Sequence, residues 1–433
     1  MALALAGSAL VAGSATAAPS AAPAALTLAP AAAAAPSAAA RKVVRVPYGM
    51  VGVAIGTRVL GGDIPASSSQ TGAQVLSCTN KANISGRNAV AAVNVPGLGT
   101  VRGVSSRTWT TKRGKTVNSY AQHSVARVTL VDSPLGTLDI AGVSARSHTW
   151  HDGKRFRAAT TSEIASIRFT PPVGPAVNIP VPSPGDTITV PGLARISIGQ
   201  PRTRVTRNGS SAEVSAINIA VYPTNTRVVI AQTKSKMNAG IRRGLFGGNA
   251  IGLQGTALAD LVELGKTPIV NMPCDGTKGK VRTESVAGIN LPGLLEVGAL
   301  ESGVFGKQGT DRRPSVAQGA ARVARVSLLG GRVVINGING VARVNRLPGN
   351  RLTRSTAGTG IGELVVDGEA TELPLDGLEI PGLLKLESKI VQNTKNGVNV
   401  VGLRVTLLDG TGATIDLGKV SLGIRVAKPN KGR

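Results

Sequence analysis

The chain has 433 residues, of which 49 are Lys or Arg and 23 are Asp or Glu, so its formal net charge at pH 7 is +26. Aromatic residues make up 2% of the chain, too few for base stacking, and without a nucleic-acid-binding motif this argues against sequence-specific nucleic-acid recognition. The 55 Gly and 25 Pro interrupt the chain throughout, and no long stretch has apolar residues at helical spacing. The composition therefore predicts an all-β protein.

The N-terminal region is apolar and rich in small residues. Residues 1–18 end in Ala15-Thr16-Ala17-Ala18, which is typical of a secretory signal peptide and its cleavage site. Residues 19–42 continue as an Ala/Pro-rich segment that is too poor in large apolar side chains to fold. We expect export followed by a disordered spacer, with a plain Ala-rich tail as the alternative. No later stretch approaches the roughly twenty apolar residues of a membrane-spanning helix.

Four copies of one phrase, an aliphatic residue followed by Pro-Gly-Leu, divide the rest of the chain. After each copy come a short apolar run, a polar hairpin region, an alternating strand, a tight turn and a third strand. Turns such as Asn208-Gly209, Asn396-Gly397 and Asp409-Gly410 agree with this period of two. Each unit is predicted to be a three-stranded antiparallel meander. The copies are Val95-Pro96-Gly97-Leu98, Val190-Pro191-Gly192-Leu193, Leu291-Pro292-Gly293-Leu294 and Ile380-Pro381-Gly382-Leu383.

The four units form two pairs. The first copy matches the third, because AAVNVPGL at 91–98 lies 196 positions before AGINLPGL at 287–294. The second copy matches the fourth. We therefore predict a tandem duplication, with one β domain at 43–242 and another at 243–433, each long enough to bury its own core. The pattern leaves sandwich and barrel open, and only Ala257 to Leu264 suggests a helical turn.

The two cysteines, Cys78 and Cys274, are also 196 positions apart. Equivalent positions in duplicated halves meet if they lie on the axis that relates the halves, so one disulfide between the domains is geometrically allowed. Two buried thiols that never meet are the alternative.

Basic residues are spread over both halves. Arg127, Arg325 and Arg404 alternate with core aliphatic residues, which places them on the solvent face of strands. Such a surface attracts polyanions. For an exported protein these are anionic cell-wall polymers, acidic lipids or extracellular DNA. A solvated face without a partner is the alternative.

No legible motif carries chemistry. His148 and His151 precede a hairpin tip at Asp152-Gly153 and are predicted to point to opposite faces of one strand, which is poor geometry for a shared metal. His123 is the third histidine of the chain. The sequence has no serine or cysteine nucleophile motif. Clefts that process sugars normally present aromatic rings on which the sugar stacks, and the chain has only two tryptophans, Trp109 and Trp150. We therefore predict no catalytic, cofactor or metal site.

The repeat resembles a known family. The stretches LDGLEIPGLLKLE at 375–387, GVNVVGLRVTLL at 397–408 and ATIDLG at 413–418 resemble the closing repeat of the actinobacterial choice-of-anchor P proteins. Residues 323–344 and 289–297 are similar to earlier blocks of that family. The resemblance implies an exported or surface-associated β-rich protein with no assigned enzymatic activity. Members typically carry a C-terminal anchor, whereas this chain ends without a sorting motif, which puts covalent anchoring in doubt.

Together these features predict a non-enzymatic, secreted or surface-associated structural or interaction protein without a cofactor. Its basic surface is suited to anionic envelope polymers. The alternatives are a carrier of lipid or another hydrophobic ligand, and an extracellular hydrolase. An apolar cavity through each half would favour the carrier, whereas a filled sandwich core would favour the structural protein.

Overall fold

The described part of the chain consists of residues 42–61, 66–68, 72–95, 99–133, 136–190, 194–222, 226–257, 262–291, 295–374, 376–408 and 413–427 in a computed structural model. The predicted signal peptide, nearly all of the spacer, three of the four Pro-Gly-Leu motifs and the Asp409-Gly410 turn lie outside these residues, so those predictions stay predictions. The domain boundaries at 43–242 and 243–433 also stay a prediction.

Strands account for most of the first half, as the alternating pattern predicts. They are β1 (Val44–Gly61), β2 (Ala66–Ser68), β3 (Gln74–Ala82), β4 (Ile84–Val95), β5 (Gly99–Arg113), β6 (Thr116–Ser133), β7 (Gly136–His151), β8 (Phe156–Glu163), β9 (Ser166–Thr170), β10 (Val177–Ile179), β11 (Thr187–Val190), β12 (Ala194–Thr206), β13 (Gly209–Val221) and β14 (Thr226–Asn238).

The second half is built in the same way. Its strands are β15 (Gly244–Ala257), β16 (Val262–Asn271), β17 (Val281–Val286), β18 (Ile289–Leu291), β19 (Leu295–Val297), β20 (Leu300–Lys307), β21 (Ser315–Leu328), β22 (Val333–Arg346), β23 (Leu352–Ser355), β24 (Glu363–Val366), β25 (Glu369–Thr371), β26 (Leu378–Ile380), β27 (Leu384–Thr394), β28 (Gly397–Leu407) and β29 (Thr414–Val426). Single 3₁₀ turns lie at Leu329–Gly331 and Pro348–Asn350.

The strands form three antiparallel sheets. The shared sheet has 13 strands in the order β11-β12-β13-β14-β1-β2-β16-β15-β29-β28-β27-β26, with β3 beside β1. The first-half sheet has seven strands, with β10-β9-β7-β6-β5-β4 in order and β8 beside β7. The second-half sheet has nine strands, with β17-β20-β21-β22-β24-β25 as its main path.

Each predicted meander is present: β5-β6-β7, β12-β13-β14, β20-β21-β22 and β27-β28-β29. The structure adds one strand before each unit, because the Pro-Gly-Leu motif connects two paired strands. The residue before each proline pairs with the residue after each leucine, in the same register in all four units. These closing pairs are Val95 with Gly99, Val190 with Ala194, Leu291 with Leu295, and Ile380 with Leu384.

The fourth motif shows why Pro and Gly occupy this connection. The Leu383 amide donates a hydrogen bond of 3.0 Å to the Ile380 carbonyl, which closes a four-residue turn. Pro381 takes the second position, and Gly382 takes the third with φ at +70°. A positive φ at that position, preceded by proline, is the signature of a type II turn. The motif is therefore a hairpin connection.

The interior of each half is filled by aliphatic side chains from two facing sheets. In the first half, buried residues such as Val128, Ile140, Ile219 and Ile230 bring the first-half sheet against the shared sheet. In the second half, Val326, Ile335, Leu403 and others do the same. Each half is therefore sandwich-like, not a closed barrel, which settles the alternative that the period-two pattern leaves open.

The two halves are joined by strand pairing and by a disulfide. β2 pairs with both β1 and β16, so the shared sheet runs through both halves. The sulfur atoms of Cys78 and Cys274 are 2.08 Å apart, and their Cα atoms are 5.4 Å apart. The predicted pairing is thus confirmed. Buried Ile241, Leu245 and Ala427 surround it.

Two predictions need correction. Ala257 and residues 262–264 belong to strands β15 and β16, so the part of 257–264 that the structure describes is not helical. Strand pairing satisfies this backbone and overrides the weak local helical spacing. The predicted Asn-Gly turns are each displaced by one residue. The glycine of Asn396-Gly397 begins β28 and is not in the loop. Likewise, the glycine of Asn208-Gly209 begins β13. A Cβ at Gly209 would lie 2.6 Å from the Met237 carbonyl oxygen, so glycine permits a close approach of the strands.

The part of the chain that the structure describes contains no helix with the length and apolar character needed to span a bilayer.

Candidate functional site

Four aromatic side chains line up across the solvent-facing side of the first-half sheet. Trp109 on β5 lies directly opposite Tyr120 on β6, and Tyr120 lies directly opposite His148 on β7. Trp150 follows His148 two residues later and therefore points to the same face. All four are half-buried. We call Trp109, Tyr120, His148 and Trp150 the aromatic ladder.

The rings of the ladder stack face to face. Successive ring centroids are 4.6 Å, 4.1 Å and 4.2 Å apart along the order Trp109, Tyr120, His148, Trp150, and the planes differ by 14° to 15°. Stacking in this manner packs each ring against the next one in the row. Pairs of this kind add stability beyond their buried area, on the order of 0.5–1.5 kcal/mol each. The ladder is thus a rigid base on the sheet.

Two arginines rest on this base. The guanidinium carbon of Arg107 is 4.8 Å from the Trp109 ring centroid. That of Arg146 is 5.5 Å from the Trp109 centroid and 4.8 Å from the Tyr120 centroid. Contact with an aromatic ring orders a guanidinium group, which still has N–H donors for a carboxylate or phosphate. The ladder therefore orders two groups that recognise anions.

These arginines belong to a row that crosses four strands. Arg87 lies opposite Arg107, Arg107 opposite Gln122, and Gln122 opposite Arg146. A second like-charged pair, Arg102 and Arg127, lies further along β5 and β6. Directly opposed like charges destabilise a sheet. None of the five arginines forms an ion pair with a carboxylate of the described residues. We call Arg87, Arg107 and Arg146, together with the ladder, the ladder face.

The electrostatics of the ladder face are strongly positive. Burial, together with the nearby charge of Arg87, lowers the pKa of Arg107. Burial and the nearby charge of Arg146 lower the pKa of His148 to about 4. His148 is therefore neutral at pH 7, and its Nε2 lies 2.9 Å from the Asn118 side-chain oxygen as a donor. His148 therefore adds no charge to the ladder face at pH 7.

The second half lacks this arrangement at the equivalent positions. Its strands place Phe305, Gln318 and Arg343 side by side where the first half has Trp109, Tyr120 and His148. The arginine row is replaced by a run of small or uncharged residues: Thr283, Gly303, Ala320 and Val341. Because the second-half sheet forms with Phe305 as a single aromatic ring and without opposed arginines there, the sandwich does not require the stacked rings or the arginine row. The ladder face is a specialisation of the first half.

The structure separates the three histidines. His148 joins the ladder, whereas His151 packs inside against Tyr48 and Phe156, with ring centroids 4.8 Å away in both cases. The prediction that His148 and His151 point to opposite faces is confirmed. His123 is fully buried, with Nδ1 at 2.6 Å from the Ser106 hydroxyl oxygen. Among the described residues, no three His, Cys, Asp or Glu side chains gather where they could hold a metal ion.

In the sequence, Trp109 and Trp150 show no visible relation to each other. Their sequence separation of 41 residues conceals the fact that β5 and β7 flank the same central strand. The sequence does contain a signal for the ladder face. Arg107 and Trp109 are two residues apart on one predicted strand, and Arg146, His148 and Trp150 are spaced in the same way on another strand of the same meander, so each set shares a face. A register for β5, β6 and β7 would have placed these residues on one face.

Comparison with known proteins adds no assignment. A scan of the chain against protein-family models and a search of curated protein sequences gave no match. The resemblance to the choice-of-anchor P proteins therefore stays a prediction.

Proposed function

We propose that this protein is a non-enzymatic binding protein whose ladder face holds an anionic polymer. The observation that carries the proposal is the row Arg87–Arg107–Gln122–Arg146. It opposes like charges, has no carboxylate partner among the residues that the structure describes, and places two of its arginines against aromatic rings. An anion laid across this row would offset the repulsion and accept charge-assisted hydrogen bonds from the guanidinium groups.

The shape of the face favours a polymer over a small ion. Arg87 and Arg146 lie three strand spacings apart, which is about 14 Å at roughly 4.8 Å per strand. The groups project from the solvent-facing side of an open sheet. A chain with repeated negative charges can contact several arginines at once, and each further contact is made at high effective concentration. A single small anion gains no such advantage.

The cellular setting belongs to the same proposal. The apolar residues 1–18 and the +26 charge suit an exported protein that meets anionic polymers of the cell envelope. The filled interior of each half supports a binding or structural protein over a carrier of lipid. Attachment to the envelope would then depend on charge and weaken as salt rises.

Matched charge variants test this proposal. Arg87→Gln, Arg107→Gln and Arg146→Gln together reduce the net charge from +26 to +23, since three positive charges are removed. The same reduction follows from Arg312→Gln, Arg325→Gln and Arg351→Gln, three exposed arginines of the second half. Binding to polyphosphate and polygalacturonate is measured for both variants by biolayer interferometry, with uncharged dextran as the control polymer.

We expect the ladder-face triple variant to lose at least about tenfold in affinity, equivalent to about 1.4 kcal/mol. The second-half triple variant should lose much less. Equal losses would mean that net charge alone governs binding and would refute the ladder face as the site. Binding of dextran by the wild type would refute the anionic specificity.

A further inference from the structure

A polar cleft of about 420 Å³ lies on the solvent-facing side of the shared sheet. Strands β12, β13 and β14 form its floor, and the segment after β16, which contains Cys274, forms its wall. The cleft is separate from the ladder face, which lies on the first-half sheet. The residues that carry the argument are Arg204, Ser211, Lys236, Asn238, Asp275 and Arg282.

The cleft has an excess of positive charge. Arg204 lies opposite Ser211, and Ser211 lies opposite Lys236, so two cations flank one hydroxyl on neighbouring strands. Arg282 and Lys278 add two more cations from the second half, and Asp275 supplies one carboxylate. No ion pair joins these side chains in the described part of the chain. Four cations around one carboxylate leave a net charge of about +3.

Lys236 is the most buried of these four cations. It is half-buried, and burial lowers its pKa even though Asp275 acts in the opposite direction. Arg282 and Arg204 lie near enough to lower that pKa further. A partly desolvated ammonium group surrounded by other cations is costly without a counter-ion. A bound anion would supply that counter-ion.

The equivalent row in the second half is neutral. There Gln392, Asn399 and Ser421 occupy the corresponding positions on β27, β28 and β29. Their side chains satisfy one another, with hydrogen bonds of 3.2 Å and 2.6 Å through Asn399. The fold therefore accepts a self-contained polar row at this place. Arg204, Ser211 and Lys236 form a row that is left to interact with something else.

Asp275 and Asn238 suit a second part of a ligand. The Asn238 amide donates a long hydrogen bond of 3.5 Å to a carboxylate oxygen of Asp275. A carboxylate and an amide side by side are typical partners of sugar and polyol hydroxyl groups, because they supply both acceptors and donors. The cleft volume lies within the range of roughly 300–1,000 Å³ that is usual for small-molecule sites.

We propose that this cleft binds a phosphorylated polyol or sugar. Arg204, Lys236 and Arg282 hold the phosphoryl group, and Asp275 and Asn238 bind the hydroxyl groups. A phosphate monoester carries close to two negative charges at pH 7, which compensates most of the excess charge. Because β12 to β14 and the 273–282 segment both contribute, the ligand contacts both halves beside the disulfide.

Isothermal titration calorimetry on the full-length, disulfide-bonded protein tests the proposal with three probes: glycerol 3-phosphate, inorganic phosphate and glycerol. We expect glycerol 3-phosphate to bind about tenfold more tightly than inorganic phosphate and glycerol not to bind detectably. Arg282→Gln and Lys236→Gln should each weaken glycerol 3-phosphate binding at least about tenfold. Asp275→Asn should reduce the preference for glycerol 3-phosphate over inorganic phosphate.

The matched control is Arg195→Gln, an exposed arginine of β12 that does not line the cleft. It should bind glycerol 3-phosphate as the wild type does. No heat from glycerol 3-phosphate, equal weakening in Arg195→Gln, or binding unaffected by Arg282→Gln would each overturn the proposal. Thermal melts establish that the variants are folded. None of these changes touches the ladder face, so failure here leaves the polymer proposal standing.

Discussion

Arg87 and Arg107 lie directly opposite each other on β4 and β5, and neither is paired with a carboxylate within the described ranges. Burial and the charge of Arg87 together lower the pKa of Arg107. Two positive side chains held this close reduce the stability of the free protein. An anion bound between the two arginines would reduce their repulsion and thereby stabilise the folded protein.

Arg87→Gln should therefore stabilise the free protein. We expect a gain of a few tenths of a kcal/mol in the free energy of unfolding, the scale of cross-strand pairs. The gain should shrink as salt rises from about 10 mM to 150 mM, because added ions screen exposed charges. Urea denaturation at the two salt concentrations measures it. Arg351→Gln is the control, and a loss of stability in Arg87→Gln would contradict the repulsion.

Reduction of the Cys78–Cys274 disulfide should destabilise the protein substantially. The bond closes a loop across 196 residues, and the chain-entropy model gives a contribution of about 5 kcal/mol for a loop of this length. Urea denaturation of the oxidised protein and of Cys78→Ala/Cys274→Ala measures the difference. A difference below about 1 kcal/mol would show that the halves are held together without the bond.

Gly382→Ala should cost about 1 kcal/mol of stability. Gly382 has a φ of +70°, and a Cβ at this position would meet no neighbouring atom. The cost therefore comes from backbone conformation alone. Gly382→Asn is the matched control, because asparagine adopts positive φ more readily and should cost less. Equal stability of the alanine variant and the wild type would exclude the type II turn.

Stability should fall in acid because of His123. Burial lowers the pKa of His123 in the folded protein to about 4, against an ordinary value of 6.5. Because the unfolded chain takes up the proton first, stability is retained above pH 6.5 and is lost as pH falls from 6.5 to 4. The loss amounts to about 3 kcal/mol at roughly 1.4 kcal/mol per pH unit.

His123→Gln provides the comparison for this pH dependence. Its free energy of unfolding, from urea denaturation between pH 7 and pH 4, should fall less steeply than that of the wild type. A residual slope is expected, since burial also lowers the pKa of His148. Parallel curves for the two proteins would contradict a neutral, buried His123.

Much of the fold could be predicted from the sequence. Alternating residues such as Leu403, Val405 and Leu407 define a strand by themselves, so the meanders and the all-β class are confirmed. The 196-residue spacing of Cys78 and Cys274 allowed a disulfide between the halves as one of two alternatives, and the structure has that disulfide. Sandwich or barrel could not be decided, because that depends on which strands of distant units face each other.

The ladder face was not predicted, for a related reason. Its residues come from β4, β5, β6 and β7, and their alignment depends on register. A shift of one residue on β6 would turn Tyr120 inward and break the stack between Trp109 and His148. Likewise, Arg204 and Lys236 share a cleft only because β13 lies between β12 and β14 with Ser211 in register.

The most direct test of the ladder face uses its own tryptophans. Trp109 and Trp150 are the two tryptophans of the chain, and both belong to the ladder. Intrinsic fluorescence is titrated with polyphosphate, and with dextran as the control. The proposal predicts a saturable change in tryptophan emission with polyphosphate that is absent from the Arg87→Gln/Arg107→Gln/Arg146→Gln variant. Polyphosphate that co-sediments with the wild type without changing the emission would contradict it.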